Sequence, residues 1–336
     1  MFRYLFASTL AIGLCGQAIA VEWNVSLWGE RRAFTEHVEK LAELVSQKTA
    51  GEFELNLDYG GLANNRENLD GIAAGAFEMA QFCAGYHPEK NPTLSVLELP
   101  FLGVQTLEQE IAVSQAVYSH PAVVADMARW NATLLMPSPL PQYNLIGVGP
   151  APDSLYALRE SNVRATGGIA DAMRVLEANP VAIPATEVRE ALDNETIRAV
   201  AFAPHAHLSF DTLEGADWWT ENLNPGTVNC PVVVNNGALE ALSPDHRAAL
   251  LSSVDEALDH YLNYYDSVTM QRWEPSLQAA GVEKVSFNPV ALEVLRDASV
   301  ESAVSAWVMR NMVLGVPARD LLEFVRTAVR ETAPAQ

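Results

Sequence analysis

The chain has 336 residues and carries 42 acidic against 21 basic side chains, a formal charge of −21 at neutral pH. That surplus repels phosphate backbones and anionic headgroups, which excludes nucleic acid and acidic membrane surfaces as partners. It also sets a condition on any anionic ligand, because only a local, partly desolvated cation overcomes the long-range repulsion.

The N-terminus reads as an export signal. Met1-Phe2-Arg3 supplies a short positive region, Leu5 to Gly16 an apolar stretch, and Ala18-Ile19-Ala20 the small-x-small pattern of a cleavage site. The apolar stretch is shorter than the roughly 20 residues of a membrane span. Leu14 before Cys15 departs from a lipoprotein signal. Cleavage after Ala20 and delivery to the periplasm are expected.

Trp23 to Leu27 then alternates as a strand, and Phe34, Val38, Leu41, Ala42 and Val45 recur at helical spacing until Gly51. Phe53, Leu55, Leu57 and Tyr59 alternate at period two. A helix over 64–75 and a strand from Phe77 to Cys83 complete a βαβαβ unit, hence a parallel sheet with helices on its faces. The order returns after Pro150. Asn162 to Ala165 is a strand, Thr166-Gly167-Gly168 a turn and Ile169 to Asn179 a helix. Strand Val181–Ile183, helix Thr186–Asp193 and strand Ile197–Phe202 follow.

Ser243-Pro244-Asp245 starts a helix whose apolar face runs through Ala249, Leu250, Val254, Leu258, Leu262 and Tyr265, with no breaker before Pro275. About 30 residues at 1.5 Å each give a rod near 45 Å, longer than one lobe is wide, so it is expected to bridge two. Two last helices begin at Asn288-Pro289 and Val316-Pro317. The predicted architecture is α/β with two lobes, each a mixed, mostly parallel sheet flanked by helices. Lobe I comprises 21–141 plus about 230–268, and lobe II about 142–229 plus 269–336.

Cys15 leaves with the leader. Cys83 and Cys230 remain, in predicted strands; in an oxidising compartment they either pair or stay as buried thiols, and both readings stand. Arg164 ends a strand just before two glycines, at the sheet end where ligands of α/β proteins bind. Its guanidinium can hold a carboxylate or sulfonate with two parallel hydrogen bonds. Further candidates are Trp28 and Glu30 after the first strand, Gln81 and Tyr86 at the end of the third, and Gln142 and Asn144 at the crossing between lobes. Phe202, behind Arg164, and Asn235, in the return strand, complete the set. Trp218-Trp219 are expected to pack on the second lobe. His205-x-His207 lacks a third ligand at metal spacing, and no HExxH or GxSxG motif occurs. No metal, cofactor or catalytic activity is expected.

The leader, the two lobes, the bridging helix and the segment SNVRATGG…NPVAIPATEVREAL together resemble the solute-binding proteins of tripartite ATP-independent periplasmic (TRAP) transporters, the DctP family. GGLANNRENLDGIAAGAFEMAQF, LELPFL at 97–102 and NCPVVVNNGALEALSPDHRAAL carry the likeness over nearly the whole chain beyond the leader. The resemblance implies that Arg164 anchors the ligand's carboxylate. It implies that two lobes close on the ligand, and that the loaded monomer docks on membrane permease subunits in ion-driven, ATP-free uptake. Asn162 stands where the family has lysine or arginine, and Arg198-Ala199 where it has Asp-Gly. Val200 to His205 replaces a polar Gln-Glu-Asn run, exchanging an amide contact for an aromatic wall. The expected ligand is a small organic anion. A zwitterion whose positive end meets Glu30 is the alternative, and an ATP-driven transporter or a sensor is the alternative setting.

Overall fold

The computed structural model describes residues 20–334, and the predicted leader through Ile19, with Cys15, lies outside them. Among the described residues the strands run as β1 (Val21–Ser26), β2 (Phe53–Asp58), β3 (Met79–Gln81), β4 (Ala132–Met136), β5 (Asn144–Gly147) and β6 (Asn162–Arg164). They continue as β7 (Asn179–Val181), β8 (Ala199–Phe202), β9 (Trp218–Thr220), β10 (Val232–Asn235) and β11 (Glu283–Val285). Two mixed sheets result, ordered β2-β1-β3-β10-β4 and β11-β9-β5-β8-β6-β7.

In the first lobe β1, β2 and β3 are parallel, and β10 enters antiparallel between β3 and β4. Trp23 and Val25 of β1 and Phe53 and Leu55 of β2 alternate into the core. The helix Glu36–Lys48 lays Val38, Leu41 and Val45 over them. In the second lobe β6, β7 and β8 are parallel, while β5 opposes both β8 and β9. β5 and β8 are buried along their whole length, as a sheet covered on both faces requires.

The chain passes between the lobes after β4, returns after β9, and leaves again along the helical rod. The first two crossings lie side by side. The backbone N–H of Ser138 donates to the Cys230 carbonyl at 3.1 Å, and that of Tyr143 to the Gly226 carbonyl at 2.9 Å. Cys83 and Cys230 are joined by a disulfide, which fastens the chain just past β3 to the second crossing.

The rod is not the single helix expected. It runs as Pro244–Ser252, Val254–Tyr264 and Gln271–Ala280, with a π-helical stretch Tyr265–Met270 before the last segment. Ser253 breaks the first junction. Its hydroxyl bonds back to the Ala249 carbonyl at 2.7 Å, a contact that competes with the helical ladder and bends it. The bridging role has named contacts. Tyr261 Oη donates to the Pro139 carbonyl of the first crossing at 2.7 Å, and Tyr265 Oη lies 3.2 Å from His205 Nδ1 beyond β8.

The chain's end departs from the expected division of the lobes. Pro289–Val313 buries Leu295, Ser299, Ala303 and Trp307, a stripe at four-residue spacing. Leu295 joins the second lobe's core, whereas Ala303 and Trp307 join the first lobe's, where Trp307 Nε1 donates to Ser95 Oγ at 2.8 Å. The final helix, Ala318–Glu331, packs its Leu321, Leu322 and Val325 with Val113 and Val117 of the first lobe. Residues 269–336 therefore do not all belong to the second lobe, because one apolar stripe continues across both cores.

Candidate ligand-binding site

Arg164 is the last residue of β6, and the helix Gly167–Val175 starts three residues later. The turn must be glycine-rich. Gly167 has φ 53°, and a Cβ on Gly168 would overlap the Glu98 carbonyl oxygen. Arg164 is 3% exposed. Its Nε donates to the Ile183 carbonyl at 3.1 Å, Nη1 to the Ala201 carbonyl at 3.3 Å and Nη2 to Tyr86 Oη at 3.3 Å. The guanidinium stacks 4.6 Å from the centre of the Phe202 ring. Tyr86 comes from the first lobe, and its hydroxyl also accepts the Ala185 N–H of the second at 3.0 Å. One phenol thus ties both lobes to the arginine.

These groups line a cavity of about 30 Å³ between the lobes. Trp28, Phe34 and Arg32 face it from the first lobe. Arg32 is 8% exposed. Its Nη1 donates to the carbonyls of Trp28 and Glu30, both at 2.7 Å. Its guanidinium lies 4.4 Å from the Trp28 ring, 5.0 Å from Phe34 and 5.5 Å from Phe210. Burial pulls its pKa down to about 10, so it remains a cation at neutral pH. Arg32 Nη2 and Trp28 Nε1 are buried with no protein acceptor. Among the described residues no aspartate or glutamate lines this cavity.

His205 stacks on Phe34, with ring centres 5.9 Å apart. Burial, reinforced by the nearby Arg32 charge, holds its pKa near 3, so it is neutral. His207 is neutral for the same leading reason and bonds Thr212 Oγ1 at 2.7 Å. Among the described residues no cluster of His, Cys, Asp and Glu could hold a metal ion.

Of the residues singled out in the sequence, Trp28, Tyr86, Arg164 and Phe202 meet at the cavity. Gln81, Gln142, Asn144 and Asn235 do not line it; their amides bond other parts of the protein. Gln81 Nε2 donates to Ser138 Oγ at 2.8 Å and to the Phe34 carbonyl at 3.2 Å. Gln142 Nε2 donates to the Val104 carbonyl at 2.9 Å. Asn144 Oδ1 accepts the Leu223 N–H at 3.0 Å and Thr220 Oγ1 at 3.2 Å, fastening the crossing. Asn235 caps the helix Asn236–Ala241 through the Ala238 N–H. Glu30 has an exposed side chain on a broad outer groove of about 800 Å³. Trp218 and Trp219 form the short strand β9 of the second sheet.

Arg32, Phe34, Tyr143 and Phe210 also line the cavity and were not among the sequence candidates; His205, raised there as half of a histidine pair, lines it too. A signal for Arg32 existed. It precedes Ala33–Thr35, a single 3-10 turn in which the Thr35 hydroxyl accepts the Arg32 N–H and donates to its carbonyl. The turn fixes the backbone at Arg32, whose side chain is held inward by the carbonyls of Trp28 and Glu30.

Two α/β lobes, paired crossings and an arginine-bearing aromatic cavity between them define a receptor for a small solute. The sequence matches the model of bacterial extracellular solute-binding protein family 7 (DctP) over residues 25–135 and 158–306, and the chain belongs to that family. It is a binding protein, not an enzyme. It is 23% identical over 255 residues to the 2,3-diketo-L-gulonate-binding periplasmic protein YiaO of Escherichia coli K12, covering 74% of this chain and 75% of that protein. A marine metagenome TRAP solute-binding protein specific for aromatic acids, in complex with metahydroxyphenylacetate, superposes with a TM-score of 0.82 at 19% identity, over 94% of this chain and 100% of that one. DctP7 of Bordetella pertussis, an extracytoplasmic receptor binding pyroglutamic acid, does so with 0.79 at 17%, over 93% and 100%.

Proposed function

We propose that the chain is the extracytoplasmic receptor of a TRAP transporter, exported by a leader cleaved after Ala20, and that Arg164 holds the carboxylate or sulfonate of a small organic anion. The observation that carries this reading is the state of Arg164: buried, oriented by three acceptors, stacked on Phe202 and facing a cavity with no acidic side chain. The aromatic walls suit a compact flat acid better than a polyhydroxylated sugar acid. The aromatic-acid ligand of the marine relative points the same way. Glu30, exposed on the outer groove, gives a ligand cation no partner inside, which favours a plain anion over a zwitterion.

Capture proceeds by closure of lobe I, 21–141 with about 230–268, on lobe II, about 142–229 with β11, as hinge-type receptors do. The monomeric loaded form then passes the anion to the membrane permease. A thermal-shift and calorimetric panel of benzoate, mandelate, pyroglutamate, benzenesulfonate and glycine betaine tests the ligand class. Anions should bind and betaine should not; binding of betaine alone refutes it. Small-angle scattering should show a smaller radius of gyration with saturating ligand, and an unchanged radius argues against closure.

A further inference from the structure

We infer that Arg32 and Trp28 form a second ligand-holding pole, so that the solute is a two-ended acid: a carboxylate on Arg164 and a second oxygen acceptor, anionic in preference to neutral, on Arg32 Nη2 and Trp28 Nε1. This rests on the proposed role of Arg164 and specifies the ligand further.

The geometry makes the cavity a channel with a cation at each end. From Arg32 one wall runs through Phe210 and Phe202, whose ring centres are 5.8 Å apart, to the guanidinium of Arg164. The other wall runs through Trp28 and Tyr86, with centres 6.0 Å apart, to the Tyr86 hydroxyl that Arg164 touches. Rings flank the space between and guanidiniums close it.

Polar saturation argues for an acceptor at the Arg32 pole. Arg32 Nη1 already serves two carbonyls, yet Nη2 is buried without any partner, and Nε1 of Trp28, the ring that the guanidinium faces, is equally unmatched. Buried donors left unpaired are costly, and a charged one is costlier. Two unpaired N–H groups on adjoining side chains of one cavity wall are matched by one oxygen. Charge balance points the same way. No carboxylate lines the cavity and the neutral His205 adds none; Glu30 acts on Arg32 only from the outer groove, so two guanidiniums share a desolvated space without a paired acid inside it. A monoanion offsets one of them, and a dianion offsets both.

The test is calorimetric titration of the wild-type chain with benzoate, 3-hydroxybenzoate and isophthalate. Isophthalate should bind at least about tenfold more tightly than benzoate, with 3-hydroxybenzoate between them. Arg32→Met should collapse that ranking, weakening isophthalate by at least about tenfold more than benzoate. Trp28→Phe, which keeps an aromatic face but removes the N–H together with part of the indole surface, should weaken 3-hydroxybenzoate more than benzoate. Because Arg32 also holds two carbonyls, its variant is first checked by thermal melting; if it does not fold, the wild-type ranking and Trp28→Phe decide. Equal affinity of the wild type for all three acids overturns the second pole while leaving the Arg164 reading intact. So does a ranking that survives Arg32→Met. Failure of every acid to bind removes both.

Discussion

Arg164→Lys separates a fork from a point charge at one position. A guanidinium has five N–H groups, and three of them go to Ile183, Ala201 and Tyr86. Two remain, the number a carboxylate takes in a bidentate contact. Lysine keeps the charge but brings its donors to a single nitrogen, so it cannot hold the two carbonyls, the phenol and the ligand together. Loss of one charge-assisted bond of roughly 1.5–3 kcal/mol weakens binding by about tenfold to more than a hundredfold. The variant also leaves the Ala201 or Ile183 carbonyl buried and unmatched, which lowers the melting temperature of the free protein. Calorimetric titration with the tightest anion of the panel measures the first effect and differential scanning the second. A folded Arg164→Lys protein with wild-type affinity refutes the reasoning, because no other geometry of the site lets an ammonium replace the fork.

Three further outcomes follow from the same contacts. The Cys83→Ser, Cys230→Ser double variant should lose roughly 2–5 kcal/mol in chemical denaturation, because the bond joins ends that are 147 positions apart; unchanged stability would mean that the free chain already holds the crossing together. Glu30→Gln should leave every anion's affinity within about twofold, since the side chain is exposed outside the cavity; selective loss of a zwitterion would restore the alternative ligand class. Burial raises the Glu98 carboxyl from 4.5 to about 7, against the opposing N–H donors of Asn229 and Gly85. A raised folded pKa makes stability fall as pH rises between about 4.5 and 7. Glu98→Gln should flatten that part of the melting profile, because both N–H groups bond one oxygen, which the amide can supply, at 3.0 Å. A profile that keeps its slope would assign it elsewhere.

The lobes were legible because their signals are local. Period-two alternation at Phe53 and Leu55, helical spacing at Val38, Leu41 and Val45, and Ser-Pro-Asp before the rod each reflect geometry within a few residues. Arg164 was legible for the same reason, with two glycines beside it. What escaped depends on distance in sequence. The break at Ser253 comes from a side chain that helical periodicity does not register. The Trp307 stripe looks like any apolar helix face until the position of both cores is known. Gln81 and Asn144 resemble ligand contacts in sequence, since a buried amide is equally useful to a solute or to a neighbouring backbone; only the positions of Phe34, Ser138 and Leu223 decide which. Arg32 has no glycine pair beside it as Arg164 has: what turns it inward is the Glu30 carbonyl, together with that of Trp28.

The acidic surface and the cationic cavity answer one physical problem. A chain of formal charge −21 repels its own ligand at long range, and that repulsion is screened beyond about 8 Å at physiological salt. Inside the cavity the charges are shielded from salt by burial, so their attraction persists where the surface field has decayed. The desolvation of each guanidinium is offset by carbonyl acceptors and by ring faces: Ile183, Ala201 and Phe202 for Arg164, and Trp28, Glu30 and Phe34 for Arg32. Neutral acceptors orient a cation without neutralising it. A carboxylate in the same place would hold either arginine more tightly, but it would leave nothing for an anion to bind. The absence of acids from the cavity wall, in a protein with twice as many acids as bases, is therefore the feature on which the proposed selectivity for negative charge rests.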